Sequence, residues 1–335
     1  MKIPLSSVVA EVTAKCNLEC NFCYNHYKRP GENPPEEYGY ADIKKVLRKL
    51  FRQTELRHVS FSGGEPTLHP RFCELVLYAR LKGAKVTVIS NGTAPHQTYK
   101  TLIDIGVSLF ELPFHSIDAD IHNLMTGNPD SHRRSFESME FITSNGGKVV
   151  AVIVVTKYNY NTVYDTLKYL SDKGYKRVML NRYNIGGRNV NNPERVSASK
   201  SQLNTAYEQA EKASRDFDIK LSSNVCTPYC VLNPEKFPHI IFTSCSPDLT
   251  RRPVAIGADG SLRFCNHSPV ISGNILKTKF IDIIESQGED YKQFKIPKRC
   301  ENCELYVKCG AGCRAAAQQS GQTMGDVDPI IDIMN

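Results

Sequence analysis

The chain has 335 residues, 41% of them hydrophobic and 23% charged, with a net charge of +7. These are the proportions of a soluble globular protein large enough for one large domain and a smaller one. The longest apolar run, Val149 to Val155, falls far short of the about 20 residues that span a bilayer, and no N-terminal stretch reads as a signal peptide. A cytoplasmic protein with no membrane role is expected, and the scattered Lys and Arg residues with no Trp and no basic run give no sign of a nucleic-acid partner.

The first strand-like segment, Val8 to Thr13, leads straight into Cys16, Cys20 and Cys23 in the run CNLECNFC. Twelve cysteines in a cytosolic chain argue for metal ligation over disulfides. Three thiolates this close leave a tetrahedral site one ligand short, which points to a [4Fe–4S] cluster with one iron open to a small molecule. A structural zinc completed by a distant His26 or His115 is the plainer alternative.

Helical spacing follows over Ala41 to Arg52, with Ile43, Val46, Leu47 and Leu50 on one face. The next strand, His58 to Phe61, runs into Ser62-Gly63-Gly64-Glu65-Pro66. Two glycines let backbone approach a ligand, and Glu65 offers an acceptor for an ammonium; an ordinary tight turn with a surface acid is the bland reading. Phe72 to Leu81 is helical and carries Cys73, read as a small buried hydrophobe. Lys85 to Ser90 is a strand ending in Ser90-Asn91-Gly92, which alone is only a turn.

Helices over Thr98 to Ile105, Ser135 to Ser144 and Val163 to Ser171 alternate with strands over Leu109 to Phe114, Lys148 to Thr156 and Arg177 to Asn181. Gly83, Gly106, Gly146 and Gly174 fall where left-handed helix caps are expected. Asp118, just beyond the fourth strand, is either a loop cap or an acid facing the site. Six βα units with short connections define an α/β fold, an open or partial (β/α)6 parallel barrel with ligands at the carboxyl ends of its strands.

After the sixth strand, Asn184 to Asn189 (NIGGRN) reads as a surface loop or as a pocket wall with Arg188 as an anion contact. A last long helix covers Ser201 to Arg215. Eight of the twelve cysteines then lie between Cys226 and Cys313, so we expect a barrel over residues 1–220 and a small C-terminal cysteine-rich iron–sulfur domain over 221–335. Val254 to Cys265 reads as a hairpin turning at Asp259-Gly260.

The spacing Cys16-x3-Cys20-x2-Cys23, with aromatic Phe22 before the last cysteine, resembles the signature of the radical S-adenosylmethionine superfamily. Gly63-Gly64-Glu65-Pro66 looks like that family's GGEP motif, which holds the methionine amino group. Ser90 and Asn91 look like its ribose-contacting segment, and Asn181 stands where the family often contacts adenine or carboxylate. Ile117 to His122, followed by Met125-Thr126-Gly127, resembles a stretch common in peptide- and cofactor-modifying members. The resemblance implies that S-adenosylmethionine binds the open iron of the [4Fe–4S] cluster, and that one electron from a flavodoxin- or ferredoxin-type donor yields a 5′-deoxyadenosyl radical that takes a hydrogen atom from substrate.

Cys245-x14-Gly260-x4-Cys265, then Cys300-x2-Cys303-x5-Cys309-x3-Cys313, resembles the SPASM extension of a subset of the family, which holds one or two auxiliary iron–sulfur clusters. Carried over, the first would use Cys245, Cys265, Cys313 and an upstream cysteine, Cys230 in preference to Cys226. The second would use Cys300, Cys303 and Cys309. No cysteine follows Cys313, so its fourth ligand is expected to be Asp326, Asp328 or Asp332, unless an iron stays open or only one auxiliary cluster forms; a zinc ribbon is the structural alternative. Cys226, left over, becomes a candidate catalytic thiol returning a hydrogen atom to a substrate radical. The resemblance points first to cross-linking, epimerisation or oxidation of a peptide or protein, and second to a small-molecule substrate such as an aminosugar. A non-catalytic electron carrier is a third reading, which Glu65 and its glycines oppose. Only 15 residues precede Cys16, so no separate peptide-recognition domain is expected before the barrel.

Overall fold

The computed structural model describes residues 2–248, 252, 254–286 and 294–333. Eight strands run parallel in chain order: β1 (Ser7–Glu11), β2 (His58–Ser62), β3 (Lys85–Ile89), β4 (Leu109–Pro113), β5 (Val149–Val155), β6 (Arg177–Arg182), β7 (Lys220–Ser223) and β8 (Ile240–Phe242). The six expected strands all form. β7 and β8 extend the same sheet past residue 220; with only four and three residues each, they are too short to show an alternating pattern.

The expected hairpin is present as β9 (Ala255–Gly257) and β10 (Ser261–Arg263), with Gly260 at φ 82° in the turn. It does more than gather cysteines. β9 pairs in parallel with β1, and β10 carries a last short strand, β11 (Gly273–Asn274), so the sheet reads β11-β10-β9-β1-β2-β3-β4-β5-β6-β7-β8. The barrel is therefore open, with the C-terminal hairpin sewn onto its first strand.

Helices α1 (Tyr40–Gln53), α2 (Phe72–Leu81), α3 (His96–Ile105), α4 (Ala119–Thr126), α5 (Ser131–Ser144), α6 (Val163–Asp172) and α7 (Lys200–Phe217) fill the crossovers. Gly83, Gly106, Gly146 and Gly174 all have φ between 83° and 88°, as helix caps require. Ser199 and Gln202 form a capping box that starts α7. The fourth crossover holds two helices where one is expected. Asp118 opens α4 by accepting from the Asp120 and Ile121 amides at 2.9 and 3.2 Å, so the loop-cap reading of this acid fits.

Alternation along the strands sorts the side chains. Val8 and Ala10, Val59 and Phe61, Val86 and Val88, Phe110 and Leu112, and Ala151 and Ile153 join one core beneath the helices. The residues between them, such as Ser60, Thr87, Glu111, Val152 and Asn181, face the concave side. Among the described residues no helix is long and apolar enough to cross a membrane.

Candidate functional site

The segment from Cys16 to Cys23 is gripped from three sides at the carboxyl end of the sheet. From β2, the Gly64 amide donates to the Thr13 carbonyl at 2.8 Å and the Glu65 amide to the Lys15 carbonyl at 2.7 Å. From α4, the Thr126 and Met125 carbonyls accept from the Glu19 and Asn21 amides at 3.1 and 3.0 Å. From the loop after β6, Asn189 donates to the Asn21 carbonyl at 2.6 Å, and Arg188 pairs with Glu19. A Cβ on Gly187, at φ 57°, would lie 2.0 Å from the Cys23 carbonyl. The NIGGRN loop is thus a buttress for the cysteine segment, and Arg188 is committed to Glu19.

Within that segment the three thiols are free of disulfides and lie within electrostatic reach of one another. Burial pushes the Cys20 and Cys23 thiols up, and the charges of Cys23 and Cys16 add to the rise at Cys20. A cationic metal centre removes that penalty by binding the thiolates.

The loop after β2 is pressed against the chain leading to Cys16. A Cβ on Gly63 would lie 2.2 Å from the Thr13 carbonyl, and one on Gly64 would lie 2.1 Å from the Lys15 carbonyl, so no other residue fits either position. Glu65 is 1% exposed. Its carboxylate accepts from the Thr67 amide (3.1 Å) and hydroxyl (2.6 Å), the Ser90 hydroxyl (3.0 Å) and the Asn91 amide (2.6 Å). Burial raises its pKa, and those four donors oppose the rise. Asn91 in turn donates to Asn17 at 2.8 Å, with its nitrogen 4.0 Å from the Cys16 sulfur. The motifs after β1, β2 and β3 therefore form one hydrogen-bonded unit. Pro66 follows as the first residue of a single 3-10 turn.

Phe22 meets His115 edge to face, with ring centroids 4.6 Å apart. His115, otherwise a candidate zinc ligand, meets the cysteine segment through Phe22. Its Nδ1 accepts from the Val154 amide at 3.2 Å, and burial pushes its pKa down to about 3, so the neutral ring carries its proton on Nε2. That buried donor has no partner among the described residues. His26 likewise directs Nδ1 to Arg263 at 3.1 Å. Among the described residues, neither histidine joins the three cysteines in a convergent metal-ligand group. Asn181 lies on β6 and accepts from the Asn224 amide at 2.7 Å, which steers the chain from β7 toward the later cysteines.

Those cysteines divide differently from the expectation. Cys226 donates to Cys245, pulling the Cys245 thiol down to about 7 and its own up, and both lie within electrostatic reach of Cys265 and Cys313. Cys226, Cys265 and Cys313 also share one small apolar cluster. Cys230, expected here, is exposed and sits instead with Cys300 and Cys309. The cause is Arg182, which donates to the Cys226 carbonyl at 2.8 Å and the Thr227 hydroxyl at 3.1 Å. It holds Cys226 inward, and the turn from Pro228, closed by Val231 and Leu232 amides on the Pro228 carbonyl, sends Cys230 outward. Cys226 is therefore no isolated thiol. Cys73, half-buried on α2, packs against the main core.

Gln319 is a residue without a sequence signal. It is 1% exposed. Its amide nitrogen donates to the Tyr24 and His267 carbonyls at 2.7 and 2.8 Å, and its oxygen accepts from the Gly187 amide at 2.9 Å. One side chain thus ties the first cysteine segment, the buttress loop and the C-terminal region together.

Among the described residues, no three His, Cys, Asp or Glu side chains converge as tightly as a single metal ion requires. A four-iron cluster places each thiolate on a different iron and spreads the sulfurs further apart. Three free thiols, the glycine-tight loop beside them and a His115 donor unpartnered among the described residues together fit a cluster with one iron open to a polar ligand.

An open α/β barrel with a three-cysteine loop at the carboxyl end of its first strand, and further cysteines on an added hairpin domain, defines a class of iron–sulfur radical enzymes. Residues 10–196 match the Radical SAM superfamily and residues 245–310 match the SPASM iron–sulfur cluster-binding domain; the chain belongs to the radical SAM superfamily and is a radical SAM/SPASM enzyme. Its cofactors are S-adenosylmethionine, the [4Fe–4S] cluster that binds it, and auxiliary iron–sulfur centres. The PqqA peptide cyclase of Bradyrhizobium diazoefficiens is 23% identical over 98% of this chain and 86% of its own length. Among solved structures, Streptococcus suis SuiB bound to precursor peptide SuiA superposes with a TM-score of 0.75 at 16% identity, covering 98% of this chain and 75% of SuiB. The enzyme anSMEcpe with bound AdoMet and Kp18Cys peptide gives 0.76 at 18% identity, covering 98% and 94%.

Proposed function

We propose that this enzyme modifies a peptide or protein, abstracting a hydrogen atom from a residue and leading to cross-linking, epimerisation or oxidation. The carrying observation is the likeness to a peptide cyclase, which runs through both the barrel and the cysteine-rich region. When bound, the reduced cluster and S-adenosylmethionine supply hydrogen-atom abstraction from an unreactive C–H bond. The chain's own residues bind and orient. Cys16, Cys20 and Cys23 hold the cluster. Glu65 takes the methionine ammonium in its buried acceptor site, with Gly63, Gly64 and Pro66 shaping the approach. Ser90 and Asn91 would contact the ribose, Asn181 the adenine or the carboxylate, and Phe22 would line the cofactor site.

Anaerobic enzyme, reduced by dithionite or by a flavodoxin- or ferredoxin-type donor, is incubated with S-adenosylmethionine and with any short peptide found encoded beside its gene. Release of 5′-deoxyadenosine together with a mass change or α-deuterium exchange in one peptide is the expected result. Release stimulated only by an aminosugar or other small molecule would replace the peptide reading with the small-molecule one, and no release at all would overturn both.

A further inference from the structure

We propose that Cys230, Cys300, Cys303 and Cys309 form a second complete four-thiolate iron–sulfur site, closed by a cysteine from the segment after β7 and not by any group of the C-terminal tail. The Tyr229 amide donates to the Cys309 sulfur at 3.3 Å, which sets the neighbouring Cys230 at the same place. Cys230 lies within electrostatic reach of Cys309, and Cys300 within reach of Cys303, Cys309 and Cys230. The Cys303 amide donates to the Cys300 carbonyl at 3.1 Å, Cys309 ends the short helix Tyr306–Cys309, and Lys308 pairs with Glu235 at 3.1 Å, holding that helix to the segment beyond Cys230.

The acids of the tail are engaged elsewhere. Asp328 is fully buried on Arg182 and accepts from the Cys313 and Ile330 amides at 2.8 and 3.0 Å. Asp326 accepts from the Thr323 amide and hydroxyl at 2.8 and 2.7 Å. Asp332 pairs with Arg299.

The twelve cysteines then divide without remainder into the three of the first segment, an inner quartet (Cys226, Cys245, Cys265, Cys313), an outer quartet, and Cys73 in the helical layer. Cys226 and Cys230, four residues apart, feed different centres. The inner quartet includes buried Cys313, while Cys230 and Cys303 of the outer one are exposed. A centre with four protein thiolates has no iron position left for substrate, as closed metal sites do not. The outer centre is a surface-facing electron-transfer [4Fe–4S] cluster, and it lies partly outside residues 245–310.

The inference rests on the iron–sulfur reading of the C-terminal region, and its test separates the two. The full chain is reconstituted anaerobically and its iron content and reduced-state electron paramagnetic resonance and Mössbauer spectra are recorded. Wild type is expected to hold about 12 irons, and Cys230→Ala and Cys303→Ala about 8, since each cluster holds four. Both variants should lose the same spectral component, the double variant should lose no more, and Cys245→Ala should lose a different component. Cys230→Ser, which keeps an oxygen ligand, should retain the outer cluster with shifted signals. The change of the first cluster's signal on adding S-adenosylmethionine, preserved in each variant, certifies the fold. Unchanged iron in Cys230→Ala, loss of the Cys245 component instead, or loss of the outer component in Asp326→Ala or Asp332→Ala would each overturn the assignment. Only about four irons in wild type would sink the auxiliary-cluster reading itself.

Discussion

Arg182, the last residue of β6, and Asp328, in the C-terminal tail, form an ion pair whose side chains are 1% and 0% exposed. Arg182 also binds the carbonyl of Cys226, and Asp328 accepts the amide of Cys313. The pair therefore positions two members of the inner quartet from opposite ends of the sequence. Removing one partner strands a buried charge, which costs about 3–5 kcal/mol. Asp328→Ala is expected to lose most of that in urea denaturation of the metal-free chain and to reconstitute without the inner cluster. Asp328→Asn has one acceptor oxygen, so it keeps only one of the hydrogen bonds from the Cys313 and Ile330 amides, and it should lose less than Asp328→Ala.

The contact between Gly64 and the Lys15 carbonyl supports a sharper prediction. An alanine methyl there would lie 2.1 Å from that oxygen and 2.6 Å from the Ala14 carbonyl, so the loop has to lift away from the cysteine segment. Overpacking of this kind costs about 1–3 kcal/mol, and 1.4 kcal/mol is about tenfold in affinity. Gly64→Ala should weaken S-adenosylmethionine binding, measured by calorimetry, by about tenfold or more. Glu65→Gln removes the charge at unchanged size and should lose affinity to a similar extent while keeping the first cluster's iron. Equal affinity in both variants and wild type would remove this loop from the cofactor site.

The barrel was legible because its signals are local. Period-two runs such as VVAVIVV and helix-capping glycines need no tertiary information. α4 escaped because the face it buries is His122, Met125 and Thr126, while Ile117 and Leu124 are exposed; its role appears only where the Met125 and Thr126 carbonyls bind the cysteine segment. The division of Cys226 from Cys230 is also not local. Spacing places both near either quartet, and the choice is made by Arg182, a residue more than forty positions upstream. Gln319 left no signal, and His115 showed only as a possible zinc ligand, because their value lies in buried donors and acceptors that only the fold brings together.

Gln319 invites a direct test. Its three hydrogen bonds reach Tyr24, His267 and Gly187, so Gln319→Leu leaves three buried backbone groups without partners at about 1–3 kcal/mol each. The expected outcome is a loss of several kcal/mol in denaturation, together with a broadened signal from the first cluster as the segment around Tyr24 loosens. A variant with wild-type stability and an unaltered signal would show that the tie carries no load.

Glu111 gives the molecule a pH dependence of its own. It sits on β4 between Phe110 and Leu112, which are 0% exposed beneath the helices. Its side chain therefore faces the concave side, between Ile89 and Val150 in register. Burial alone pushes its carboxyl up to about 7. Because the folded value exceeds the unfolded one, the folded chain holds a proton that the unfolded chain releases between roughly pH 4.5 and 7. Both states are protonated below that window, and no penalty exists there. Across it, stability falls as pH rises, and above it the penalty is complete. Glu111→Gln abolishes the slope, so this variant should match wild type at pH 4.5 and exceed it by about 1–3 kcal/mol at pH 8. Urea denaturation of the metal-free chain at the two pH values reads the difference directly. Equal stability of the two proteins at pH 8 would mean that a partner reaches Glu111 and holds it ionised in the folded chain.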